Sequence, residues 1–125
     1  MLSAYGTRFG LDRETALRVS GAFGGGMGRM GETCGAVTGA LMVIGLKYGK
    51  TRDDDDDARE RTYGLVKEFT DRFRARHKSI ICRELLGHDL STAEGMQAVT
   101  EKRLFLTFCP TLVQHASELL DELLA

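Results

Sequence analysis

Apolar residues recur at three- and four-residue steps along most of the chain, the spacing of one face of an α-helix. The pattern predicts helices over 12–23, 32–47, 53–77 and 110–124, with two short helical turns capped by Ser79 and Ser91. Only 104–108 is strand-like in composition. The chain is therefore predicted to be all-α, a compact single-domain bundle of about five helices spanning residues 1–125.

Composition fits an ordinary globular domain and excludes several partners. Of 125 residues, 42% are hydrophobic and 28% charged, and 17 basic side chains face 18 acidic ones. This balance gives no electrostatic footprint for nucleic acid or for an anionic membrane. No apolar stretch approaches the roughly 20 residues needed to cross a bilayer, and Met1 opens no secretion signal. The sequence predicts a soluble, cytoplasmic protein without membrane insertion.

Glycine is abundant, at 15 residues against a single proline, and one glycine-rich segment, 24–31, separates the first two predicted helices. It contains a GxGxxG match, but a dinucleotide site needs a strand before the glycines, and here a helix is predicted. A tight connector between packed helices is the favoured interpretation. An anion or small-ligand site remains the alternative. Its residues would be Gly24, Gly25, Gly26, Gly28 and Arg29.

The second helix carries a stripe of small residues beginning at its N-terminus. Gly35 and Gly39 are four residues apart and share one face of the helix. Such a face lets another backbone or a flat ligand approach closely. We expect both glycines to contact a neighbouring helix or ligand with almost no room for a side chain.

Three cysteines form an odd set without a CxxC pair, which argues against a disulfide framework of the secreted type. Cys34, Cys82 and Cys109 each lie at a predicted helix N-terminus. The helix dipole there would lower a thiol pKa below its ordinary value of about 8.5. We expect the three thiols to converge in the fold. They are candidates for redox groups, for ligands of one soft metal, or for buried core residues.

The run from Gly21 to Gly49, with Cys82 in ICRELLG and Cys109 in FCPTLV, resembles a redox-active family named for its C-GCAxxG-C-C cysteine pattern. The central CGAxxG motif reads as Cys34, Gly35, Ala36 and Gly39. The resemblance implies a small helical protein with four characteristic cysteines, often encoded near transporter genes. The first of these cysteines lies ahead of the segment matching Ala4 to Leu11, so we expect either that the chain lacks an N-terminal portion of the family domain or that this member has lost one thiol.

Two functions from different classes remain open. The first is thiol-based redox chemistry, with the cysteines cycling between dithiol and disulfide or passing electrons to a redox or transport-associated protein partner. The second is a non-catalytic helical module that binds a metal or small ligand, in which Cys34, Cys82 and Cys109 hold a soft metal ion or an iron–sulfur centre. Assembly into a homo-oligomer is compatible with either function.

Overall fold

The computed structural model describes all of residues 1–125 and contains helices without any β-strand, so the all-α prediction is confirmed. The helices are α1 (Leu2–Tyr5), α2 (Arg13–Ser20), α3 (Gly24–Met27), α4 (Gly35–Tyr48), α5 (Asp56–His77), α6 (Cys82–Leu86), α7 (Ala93–Glu101), α8 (Leu104–Thr107) and α9 (Cys109–Leu124), with a 3-10 turn over Gly6–Phe9. Five of them have eight or more residues, and the other four are turns of four or five residues. The prediction of about five helices includes α6, as the short turn after Ser79, but not α3 or α8. The strand-like stretch at 104–108 forms α8.

Side-chain caps set the start of three of these helices. Asp12 accepts a hydrogen bond from the N–H of Thr15 at 2.9 Å, and Asp55 caps α5 in the same way. At α7 the cap is Thr92. Each cap satisfies a backbone donor that has no partner inside the helix.

The two predicted serine caps are wrong, by two residues at α6, where Ile81 is the N-cap, and by one residue at α7, where Thr92 is the N-cap. α6 begins at Cys82, and Ser79 instead accepts from the N–H of Ile81 at 2.9 Å while donating to Glu84 at 2.7 Å. Ser91 donates to a carboxylate oxygen of Asp89 at 2.6 Å and leaves the cap of α7 to its neighbour. Both serines stabilise the turn before the helix rather than the helix itself.

The main core is formed by α4, α5 and α9, which pack against one another, with α1 closing one side. α4 is apolar around most of its circumference, and such a helix is stable only when neighbours surround it. α5 and α9 are amphipathic and turn their apolar faces inward: Phe69, Phe73, Leu112, Ala116, Leu119 and Leu120 are buried. None of these helices combines the length with the apolar character that a membrane-spanning segment requires.

A second, smaller cluster lies beside the main core. Its buried members are Cys82, Leu86, Leu90 and Val99, from α6, the loop after it and α7. Cys109 packs against this smaller cluster, whereas Cys34 packs against the main core. The three cysteines therefore lie along the boundary between the two clusters.

The glycine-rich connector between α2 and α4, which includes α3, turns left-handed, so α3 is not a regular right-handed helix. The φ angles of the five successive residues 25–29 are 68°, 66°, 67°, 65° and 66°. Glycine adopts this conformation at little cost, but Met27 and Arg29 are L-residues that rarely do. The connector is thus a short left-handed turn rather than a simple loop.

Candidate functional site

All three cysteines line one cavity of about 220 Å³ at the boundary between the two clusters. Gly25, Gly26 and Gly35 contribute backbone to its wall, and the thiols are its only polar side-chain groups. The remaining lining residues are apolar: Ala36, Leu85, Leu86, Leu90, Phe105, Leu112 and Val113. Sequence patterns did not single out the leucines, Phe105 or Val113, because these residues meet only through the packing of α6, α8 and α9.

An isolated antiparallel bridge brings Cys34 and Cys82 onto the same face of the backbone. Thr33 and Ile81 lie opposite each other. The N–H of Cys34 donates to the carbonyl of Ile80 at 2.7 Å, and the N–H of Cys82 donates to the carbonyl of Glu32 at 2.6 Å. Since side chains alternate along extended backbone, both cysteines project from the face opposite to that of the bridged pair. They are diagonal neighbours, and such positions typically have Cα atoms about 7–8 Å apart.

Cys109, the first residue of α9, is the third cysteine that lines the cavity. It and Cys34 are half-buried, whereas Cys82 is buried, and all three are free thiols. A negative charge on Cys34 or Cys109 would raise the pKa of Cys82, which shows that the three groups interact electrostatically. Residues far apart in the sequence thus share one site.

The expectation of lowered thiol pKa values is wrong. Burial raises the pKa of Cys34, against the opposing effect of hydrogen bonds from the N–H groups of Ala36 and Val37. Burial, followed by the charges of the other two cysteines, raises the pKa of Cys82 to about 11. Burial raises the pKa of Cys109 as well. Loss of hydration therefore outweighs the helix N-terminus, and the thiols are neutral at pH 7.

Gly26 holds the left-handed turn directly against Cys82. A Cβ added at Gly26 would lie 2.5 Å from the Cβ of Cys82 and 2.8 Å from the backbone nitrogen of Glu32. Real Cβ atoms do not approach so closely, so only glycine fits at this position. The turn thereby forms the cavity wall that faces the buried thiol.

The other residues of the predicted anion site lie outside the cavity. Gly24, Gly28 and Arg29 line a neighbouring groove, which shares Gly25 and Phe105 with the cavity. Within the turn, the N–H groups of residues 27, 29, 31 and 32 donate to backbone carbonyls of residues 23–26. These four donors are engaged within the turn, as is the N–H of Gly28, and Arg29 is the cationic side chain of this segment.

The two glycines of the predicted stripe have different neighbours. Gly35 packs against the connector, where an added Cβ would lie 3.4 Å from the carbonyl oxygen of Phe23. An added Cβ on Gly39 would lie 2.8 Å from the Cβ of Met1, at the start of α1. Only Gly35 belongs to the cavity, and Gly39 serves the packing of α1 on α4.

Metal coordination finds no ready-made site. No group of three or more His, Cys, Asp or Glu side chains is arranged to hold a metal ion, the three thiols included. Two histidines that the sequence left unassigned do pair elsewhere: Nδ1 of His115 lies 2.9 Å from Nε2 of His77, between α9 and the end of α5. Their separation in sequence gave no signal for this contact.

The family described as "Putative redox-active protein (C_GCAxxG_C_C)" matches residues 1–123, nearly the whole chain. The chain belongs to this family. No curated protein and no solved structure matches it. In this family member, Cys34, Gly35 and Ala36 of the CGAxxG motif line the thiol cavity, while Gly39 packs against α1.

Proposed function

We propose that this protein carries out thiol–disulfide exchange, with Cys34 and Cys82 cycling between dithiol and disulfide. The observation that carries the proposal is their diagonal placement across the Thr33–Ile81 bridge, inside one cavity. Disulfide formation requires Cα atoms within about 7 Å, so the reaction brings together the backbones at Cys34, the N-cap of α4, and at Cys82, the first residue of α6. The redox-active description of the family supports the same chemistry.

The reaction balances with a substrate disulfide as the oxidant. The sulfur of one cysteine bonds to a substrate sulfur, the substrate S–S bond breaks, and the first half leaves as a thiol that takes up one proton. The second cysteine then attacks the mixed disulfide, and the other half leaves as a thiol with the second proton. Two cysteine thiols become one disulfide, and one substrate disulfide becomes two thiols.

The raised thiol pKa values affect the speed of this chemistry. Because the attacking species is the thiolate, the raised pKa values make the dithiol slow to react near pH 7. The same values stabilise the protonated dithiol relative to its ionised form. The protein therefore suits transfer of two electrons together with two protons.

Thiol titration after equilibration in a redox buffer of 2-hydroxyethyl disulfide and 2-mercaptoethanol tests the proposal. The count in the unfolded monomer should fall from three to one, with Cys109 as the free thiol, because Cys34 and Cys82 pair. Cys109→Ser should lose both remaining thiols on oxidation, whereas Cys34→Ser and Cys82→Ser should each retain two. Retention of all three thiols in the parent, or a disulfide that includes Cys109, would refute the assignment.

The cavity itself supports a second candidate, a module that binds a small ligand without redox turnover. Its apolar wall and its three thiols could contact such a ligand without any exchange reaction. Ligand binding that is unchanged in a Cys34→Ser/Cys82→Ser double variant would favour this candidate over thiol exchange.

A further inference from the structure

We infer that the thiol cavity selects small, uncharged, apolar substrates, so that its disulfide substrate is an uncharged organic disulfide rather than a charged one such as a glutathione-type peptide. This inference rests on the proposed thiol–disulfide exchange, since it names the substrate of that reaction. It is carried by the chemistry of the cavity wall, the composition of the mouth and the volume.

The wall offers no partner to a charge. Apart from the three thiols, every side chain that lines the cavity is apolar, and the rest of the wall is glycine backbone. An ion that entered would lose its hydration without gaining an opposite charge or a side-chain hydrogen-bond network. An apolar group would instead gain by burial. The wall therefore separates substrates by charge.

The mouth continues the same apolar surface to solvent. Phe105 is 37% exposed and Val113 is 41% exposed, and both line the cavity. Leu106, next to Phe105 on α8, is 75% exposed without lining the cavity. Two charged side chains lie near the cavity without lining it: Arg29, in the neighbouring groove that shares Phe105, and Asp89, whose charge acts on Cys82. Arg29 would favour anions at the mouth, so the competition between Arg29 and the apolar wall can be measured.

The volume limits the size of the substrate. Sites for drug-sized ligands and cofactors usually occupy roughly 300–1,000 Å³. A cavity of about 220 Å³ is smaller than this range. It accommodates a short alkyl or single-ring group attached to sulfur, but not a dinucleotide or a peptide. The excluded substrates are therefore the large ones as well as the charged ones.

Alkyl methanethiosulfonates test the charge selectivity directly, because the same reaction can be run with different tails. The cysteine sulfur bonds to the thioalkyl sulfur, the S–S bond of the reagent breaks, methanesulfinate leaves, and the thiol proton goes to solvent. The probes are the butyl reagent, the anionic sulfonatoethyl reagent and the cationic trimethylammonioethyl reagent, which have tails of similar size. Each rate is divided by the rate with N-acetylcysteine methylamide, which removes differences in intrinsic reactivity.

The butyl reagent should react at least tenfold faster than either charged reagent on this normalised scale. Val113→Trp, at the rim, should slow the butyl reaction several-fold, while the matched control Leu106→Trp should leave it unchanged. Circular dichroism verifies that both variants keep the helical fold. If Val113→Trp unfolds, Val113→Phe replaces it.

Equal normalised rates for the three parent reactions would overturn the inference, and so would a faster sulfonatoethyl reaction, which would assign the preference to Arg29. The thiol titration described above reports separately on the exchange reaction. Charge selectivity without a Cys34–Cys82 disulfide would refute the exchange reaction and support the apolar cavity. A Cys34–Cys82 disulfide without charge selectivity would support the exchange reaction and refute the selection of uncharged substrates.

Discussion

Replacement of Gly26 by alanine tests whether the left-handed turn is built against Cys82. The added methyl group would lie 2.5 Å from the Cβ of Cys82 and 2.8–2.9 Å from the backbone nitrogen and oxygen of Glu32. Two of these three neighbours are backbone atoms, which cannot rotate away. Alanine at this position must also adopt the φ of 66° that Gly26 has, a left-handed conformation that L-residues rarely adopt.

The expected destabilisation follows from these two effects. A left-handed conformation costs a non-glycine residue roughly 1–2 kcal/mol. Overpacking a close contact costs about 1–3 kcal/mol more. Together they predict that Gly26→Ala lowers the free energy of unfolding by roughly 2–5 kcal/mol, a large part of the ~5–15 kcal/mol typical of a domain.

Gly28→Ala is the matched control, because Gly28 has a φ of 65° and an added Cβ would meet only the carbonyl oxygen of Ala22 at 3.5 Å. It should cost about 1–2 kcal/mol, from the backbone conformation alone. Urea unfolding followed by circular dichroism measures both variants. If Gly26→Ala were no less stable than Gly28→Ala, the contact with Cys82 would not be the reason for the glycine, and our account of this wall would be wrong.

Two further predictions concern pH. The alkylation of Cys82 by iodoacetamide should be slow near pH 7 and should keep accelerating past pH 9, because the pKa of Cys82 is raised to about 11. Mass spectrometry of the labelled peptide measures this rate. Since the pKa of Cys82 in the folded protein lies above the unfolded value of about 8.5, its contribution to stability is full below about pH 8.5 and falls as pH rises toward 11. The pKa of His77, which pairs with His115, shifts in the opposite direction, because burial, then the charges of His115 and Arg76, lower it. The contribution of His77 to stability is therefore present above about pH 6.5 and is lost as pH falls through the folded pKa. Urea unfolding at about pH 7.5 and pH 5.5 should show a smaller loss of stability on acidification for His77→Gln than for the parent, and equal losses would contradict the histidine pairing.

The long helices could be predicted because their signals are local. The buried residues of α5 and α9 recur with the helical period, and Asp12 and Pro110 stand where helices begin. The short helical turns were harder to predict from the sequence. Ser79 has the residue type of a cap, but its hydroxyl is engaged by Ile81 and Glu84, contacts that a cap preference does not encode.

The cysteines of the site were predictable, but its apolar wall and its chemistry were not. Cys34, Cys82 and Cys109 could be singled out by residue type and position, and all three line the cavity. The direction of their pKa shifts depends on burial by α6, α8 and α9, which no local pattern reports. The bridge of Thr33 to Ile81 is equally invisible, because neither segment has the alternating pattern of a strand.

If the proposed Cys34–Cys82 disulfide forms, the position of the cysteines between two apolar clusters links the oxidation state to the cooperativity of unfolding. Cys34 packs with the main core and Cys82 with the smaller cluster of α6 and α7, so a disulfide between them would fasten one cluster to the other. In the dithiol, the smaller cluster has few buried residues and can open on its own, as weakly packed parts of proteins do. In the disulfide, opening must carry the start of α4 along with it. Amide hydrogen exchange across residues 82–107 would therefore slow on oxidation, so that local unfolding of this segment would depend on the redox state of the protein.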